Sequence, residues 1–104
     1  MPLLPDELKV RLPPIAEQER DLDPMVYARL YLPGPDWNFY VIGGEPFEDD
    51  YLLDCFCTGG GKFTFAHLLL SLIDALRGPQ GQTVVFDPDF PEGRLTDVVP
   101  APDL

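Results

Sequence analysis

The chain has 104 residues, with 18 acidic and 7 basic side chains and a formal charge of −11. That length suits one domain, and the charge repels phosphate backbones and anionic bilayers, so neither direct nucleic-acid binding nor membrane association is expected. Hydrophobic residues make up 45% of the sequence and aromatic ones 12%, enough apolar material to exclude disorder through the middle of the chain.

Taken in chain order, the opening Met1 to Asp6 is too short and too Pro-broken for a signal peptide. No apolar run approaches the roughly 20 residues of a membrane span, so the expected setting is cytoplasmic. Asp6 to Leu12 reads as a short helix with Leu8 and Leu12 on one face, ended by Pro13-Pro14. Residues 17–24 read as a solvated loop.

Val26, Ala28, Leu30 and Leu32 alternate with Tyr27, Arg29 and Tyr31, the period of a strand with one buried face. Pro33-Gly34-Pro35-Asp36 is a turn, and Trp37 to Ile42 is a second strand closed by Gly43-Gly44. So short a connection pairs the two strands antiparallel. After a loop from Glu45 to Asp50, a third strand runs from Tyr51 to about Thr58, followed by a turn at Gly59-Gly60-Gly61 and a short extension at Lys62-Phe63.

Phe65, Leu68, Leu69, Leu72, Ile73 and Leu76 recur at the spacing of one helical stripe. Thr64 is the expected N-cap, and Arg77-Gly78-Pro79 the expected end. His67, Ser71 and Asp74 fall on the opposite face. Thr83 to Phe86 reads as a last strand, and Val98 to Leu104 as a segment lying over the surface or fraying. The fold class implied is α+β: an antiparallel sheet of about four strands with one main amphipathic helix packed on one face.

Several clusters invite a chemical reading. Glu45, Glu48, Asp49, Asp50 and Asp54 gather around one hairpin, but Phe47 and Tyr51 interrupt them and they match no divalent-cation ligand pattern. Cys55 and Cys57, with His67, offer three zinc ligands at an unusual spacing, whereas structural zinc takes four. The same cysteines, two residues apart, are poorly placed to bridge each other, and reduced thiols are expected. His67, Ser71 and Asp74 on one helix face would splay apart and not converge as a triad. Gly59 to Thr64 lacks the spacer and the contiguous Gly-Lys-Ser/Thr of a phosphate loop. No catalytic residue, metal ligand or cofactor site is therefore assigned.

The succession Leu12-Pro13-Pro14, Ala28-Arg29-Leu30-Tyr31, Trp37-Asn38-Phe39-Tyr40-Val41, Gly44-Glu45-Pro46, Asp49-Asp50-Tyr51 and Arg77-Gly78-Pro79-Gln80-Gly81 resembles a bacterial family, domain of unknown function 2958. The resemblance spans residues 8–99; the family's glycine-aromatic segment before the helix is reduced here to Gly61-Lys62-Phe63. It implies a setting, the plasmids, conjugative elements and phages that carry such short proteins, and no activity.

The functional expectation is a non-catalytic protein-interaction module of mobile-element origin, acting on a host defence or regulatory protein. Its surface would comprise Glu45, Glu48, Asp49, Asp50 and Asp54 with the aromatic Trp37 and Tyr40, facing a partner with a basic surface. In one version the carboxylates imitate a nucleic-acid backbone. Two alternatives stay open: a divalent-metal protein or enzyme using the acidic hairpin, and a homodimer joined through the aromatic strands.

Overall fold

The alternation of apolar and polar residues after Tyr27 builds a sheet in which each strand sends every second side chain to one face. A computed structural model describes residues 3–18 and 22–99. In chain order its elements are α1 (Asp6–Lys9), α2 (Ile15–Gln18), β1 (Met25–Val26), β2 (Ala28–Leu32), β3 (Trp37–Phe47), β4 (Asp50–Gly59), β5 (Lys62–Leu69), α3 (Leu70–Ala75), β6 (Val85–Phe86), β7 (Gly93–Arg94) and α4 (Leu95–Val98). β5-β4-β3-β2-β6 form one antiparallel sheet, and β1-β7 a small second one. The fold is α+β, with strands predominating.

Both faces of the large sheet are covered. On the front, Ala28, Leu30, Leu32, Phe39, Val41, Leu53 and Cys55 pack against Leu4, Leu8 and Leu12 of the N-terminal segment and Leu70 and Ile73 of α3. On the back, Tyr40, Ile42 and Phe56 pack against Val26, Leu95 and Val99. Val26 faces the back while Ala28 faces the front because the chain breaks stride at Tyr27, whose N–H donates to Val41 O at 2.8 Å. A bulge between Val41 and Gly43 answers that break on β3.

Four sequence expectations are corrected. The sheet has five strands, not about four. The main helix is cut to Leu70–Ala75, because Lys62–Leu69 pairs with β4 as a strand. The reason lies in the turn: Gly60 and Gly61 both hold positive φ, +59° and +77°, between the paired residues Gly59 and Lys62. That is the two-residue hairpin loop whose twist matches antiparallel strands, and only residues indifferent to handedness form it easily.

Gly43-Gly44 does not end β3, which runs on to Phe47. Gly44 N–H donates to Pro13 O at 3.0 Å, and a Cβ on Gly43 would lie 2.9 Å from that same oxygen. The glycines mark a close approach of two backbones within a strand. At the far end, Val99 belongs to the back core and does not fray, while 100–104 lie outside the described residues, as do 19–21 of the expected loop. Among the described residues no helix is long and apolar enough to cross a membrane.

Candidate interaction surface

The hairpin β3–β4 decides the fate of the acidic residues. Glu45 accepts the Ile15 N–H at 3.0 Å. Asp50 accepts the N–H groups of Tyr51 at 2.8 Å and Ser71 at 3.2 Å, and the Ser71 hydroxyl as well. These bonds hold its carboxyl below the usual carboxylate range, the Ser71 hydroxyl contributing most. Asp54 is 5% exposed and lies 3.7 Å from His67 of β5, its cross-strand neighbour. Glu48 and Asp49 form the exposed tip, with Glu48 in the left-handed region at φ +54°. Three of the five carboxylates thus hold the hairpin to its neighbours. Among the described residues no three His, Cys, Asp or Glu side chains are grouped to hold a metal ion.

The two aromatic candidates part company. Tyr40 is 2% exposed and packs between Phe56 and Phe90, ring centroids 6.4 and 6.0 Å away, so the C-terminal segment covers it and no partner reaches it. Trp37 opens β3 and stays 45% exposed. Its indole lies over Gly59, where any Cβ would sit 2.2 Å from Trp37 Cδ1. The absence of a side chain at 59 is what lets the ring lie flat on the hairpin end.

Behind Trp37 lies a groove that the sequence did not announce. It has a volume of about 530 Å³ and runs between the hairpin ends, β5 and α3. Phe39, Leu68, Ile73 and Leu76 line it, with Trp37 and Leu72 at its lips and Lys62 at its end. Leu72 is 59% exposed and Trp37 45%, so with the lining between them they form a contiguous exposed apolar patch. Such dimensions and such an apolar lining are those of a binding cleft. Cys57 is half-buried in its wall, and burial pushes its thiol up to about 11, with a smaller push from Asp54. The thiol of Cys55, fully buried, is also pushed well above its ordinary value, again chiefly by burial. Burial of this kind keeps both thiols protonated near neutral pH and makes them poor nucleophiles.

The groove arises from the corrected helix. Leu68 points to the front face as a strand residue, while Leu72, Ile73 and Leu76 come from α3 and its end. The stripe that looked like one helix face is the junction of a strand with a helix, and the junction leaves the gap. On the back of β5, Phe63 and Phe65 lean on Phe56, centroids 5.7 and 4.9 Å away, yet remain 58% and 55% exposed.

Arg29 organises a separate polar cluster: it donates to Asn38 Oδ1 at 2.8 Å and to Asp87 Oδ2 at 3.1 Å, and lies over the Tyr31 ring. Asn38 in turn donates to Thr58 Oγ1 at 3.3 Å. Every group there has a partner, which is the arrangement of a structural network joining β2, β3 and β4.

No family model, no curated protein and no solved structure matches the chain.

Proposed function

We propose that this chain is a non-catalytic protein-interaction module whose front groove receives an apolar segment of a partner protein. The observation that carries the reading is the pair Trp37 and Leu72, two large apolar side chains that line an apolar cleft and yet stay about half exposed. Aromatic and aliphatic anchors of this kind dominate binding energy at protein interfaces. The groove lining itself holds no acidic residue, but the formal charge of −11 favours at long range a partner segment that is amphipathic and basic, with its apolar side in the groove and its cations toward the exposed Asp36 and Asp74, which adjoin lining residues in the chain. The resemblance read in the sequence supports a mobile-element setting, in which a host defence or regulatory protein supplies that segment.

Trp37 is the single tryptophan, so its fluorescence reports directly on the groove. The test titrates the protein with a synthetic basic amphipathic helix and with an acidic counterpart of the same apolar face. The expected result is a saturable blue shift with the basic peptide, weakened by salt and lost in Leu72→Glu. A shift that survives Leu72→Glu, or none with either peptide, overturns the reading.

A further inference from the structure

We infer that β5 is a self-association edge, and that two copies of this chain join their sheets by antiparallel pairing of β5 with β5. Three observations carry this. First, β5 is an outer strand of eight residues, Lys62–Leu69, and among the described residues no strand pairs with its outer side. The two-residue loop closes on a hydrogen-bonded pair, Gly59 with Lys62, and the pattern then alternates. Phe63 and Phe65 therefore turn their N–H and C=O groups away from β4.

Second, the usual protections are missing. β5 contains no proline, pairs with β4 without a bulge, and carries one lysine, at its first position. The opposite edge of the sheet contrasts with it: β6 has two residues, is followed by Asp87-Pro88, and Arg29 binds Asp87 beside it.

Third, the longest acid-free stretch of the chain contains this edge. No Asp or Glu occurs from Cys55 through Ile73, although 18 are distributed over the rest of the sequence. Two copies approaching through β5 bring together edges that carry no carboxylate and, after Lys62 at the first position, no lysine or arginine. An antiparallel pair is symmetric about a two-fold axis, so one edge serves both partners. With the axis at Thr64, Phe63 of each copy lies opposite Phe65 of the other, and the exposed rings meet across the seam on the back face, as cross-strand aromatic pairs do. Both front grooves then lie on the same side of the joined sheet. The inference stands independently of what the groove binds.

Light scattering on the eluting chain, over a range of concentrations, reads the mass; the expected species is twice the 11.7 kDa monomer. Phe65→Lys, which sets two cations near the axis, is expected to return the monomer mass, while Phe65→Leu keeps the dimer and the packing on Phe56. Amide exchange covers the case in which Phe65→Lys unfolds: the Phe63 and Phe65 amides of the unaltered protein are expected to slow as concentration rises, with the central Phe39 amide as reference. A monomer at every concentration, or a dimer whose Phe63 and Phe65 amides exchange freely, overturns the inference. An unrelated extended peptide that protects these amides in a monomer would also overturn it, reassigning the edge to that peptide. Leu72→Glu leaves the dimer intact, so failure of this inference and of the groove reading are separable.

Discussion

Asp50 binds Ser71 twice, through the backbone N–H at 3.2 Å and through the hydroxyl, and so ties the tip of the β3–β4 hairpin to the first turn of α3. A six-residue helix has too few internal bonds to persist alone, and it depends on such a cap from a distant strand. Asp23 does the same for α4, accepting the Thr96 N–H at 3.0 Å and its hydroxyl at 2.8 Å.

Both caps make stability depend on acid. The Asp50 carboxyl is held below its ordinary value of 3.8, chiefly by the Ser71 hydroxyl, and the Asp23 carboxyl likewise, chiefly by the Thr96 N–H. A depressed carboxylate contributes its full stabilisation above the unfolded-state value, and that contribution is lost as pH falls through the folded-state value. Melting temperature followed from about pH 5 down to about pH 2 should therefore fall in the native chain. In a combined Asp50→Asn, Asp23→Asn variant the starting value is lower and the acid-dependent fall is shallower. An identical slope in the variant would remove the caps from the account.

The groove wall supplies a chemical readout. Cys57 is raised from 9.0 to about 11 by burial, so its thiolate at a given pH is scarcer by about 100-fold than that of an unperturbed thiol. Alkylation by iodoacetamide near neutral pH is expected to be correspondingly slow. A peptide seated in the groove should slow it further.

The Gly60-Gly61 turn gives a test of the hairpin itself. Gly60→Asn is expected to change the urea midpoint little, because Asn tolerates the left-handed region and Asn-Gly suits a two-residue loop. Gly61→Val, a β-branched residue forced to φ +77°, is expected to lower stability by about 1–2 kcal/mol. Equal effects of the two substitutions would mean that β5 is not held by this turn.

That turn also explains where sequence reasoning succeeded and where it failed. β2, β3 and β4 follow from local alternation and from the turn at Gly34 and Asp36, which hold φ of +94° and +60°. The segment from Phe63 to Leu76 satisfies two periods at once. Phe63, Phe65 and His67 alternate as a strand, while Phe65, Leu68, Leu69, Leu72 and Ile73 recur as a helix. Periodicity alone cannot choose between them. The choice falls to the Gly60-Gly61 loop and to an open β4 beside it, and the second of these is a tertiary fact. Tyr40 is the same lesson at a single residue: alternation places it on the back face, but only the return of the C-terminal segment, with Phe90, Leu95 and Val99, buries that face. The groove was illegible for the same reason, since its lining comes from β3, β4, β5 and α3 and forms only where they meet.

Core packing gives the plainest mutational expectation. Leu53 is fully buried on the front face, opposite Gly44 and beside Leu68. Leu53→Ala leaves a void that Gly44 cannot fill, and is expected to cost about 3 kcal/mol in the urea-derived unfolding free energy. A cost below about 1 kcal/mol would mean that the N-terminal segment and α3 re-close on the sheet around the void.

Salt separates the two binding surfaces, because they meet the net charge in opposite ways. Two copies each carrying −11 repel at long range, and β5, which has no carboxylate to set against Lys62 of a second copy, offers no ion pair to offset that repulsion. Screening shortens the reach of the repulsion, from about 30 Å at 0.01 M salt to about 8 Å at 0.15 M. The dimer is therefore expected to tighten as salt rises. A basic segment in the groove is drawn by the same negative field and is expected to bind more weakly over that range. Sedimentation equilibrium and the Trp37 titration, run in parallel at both ionic strengths, should move in opposite directions. If both weaken with salt, the β5 seam contains attractive charges, and an apolar self-association edge is the wrong description of it.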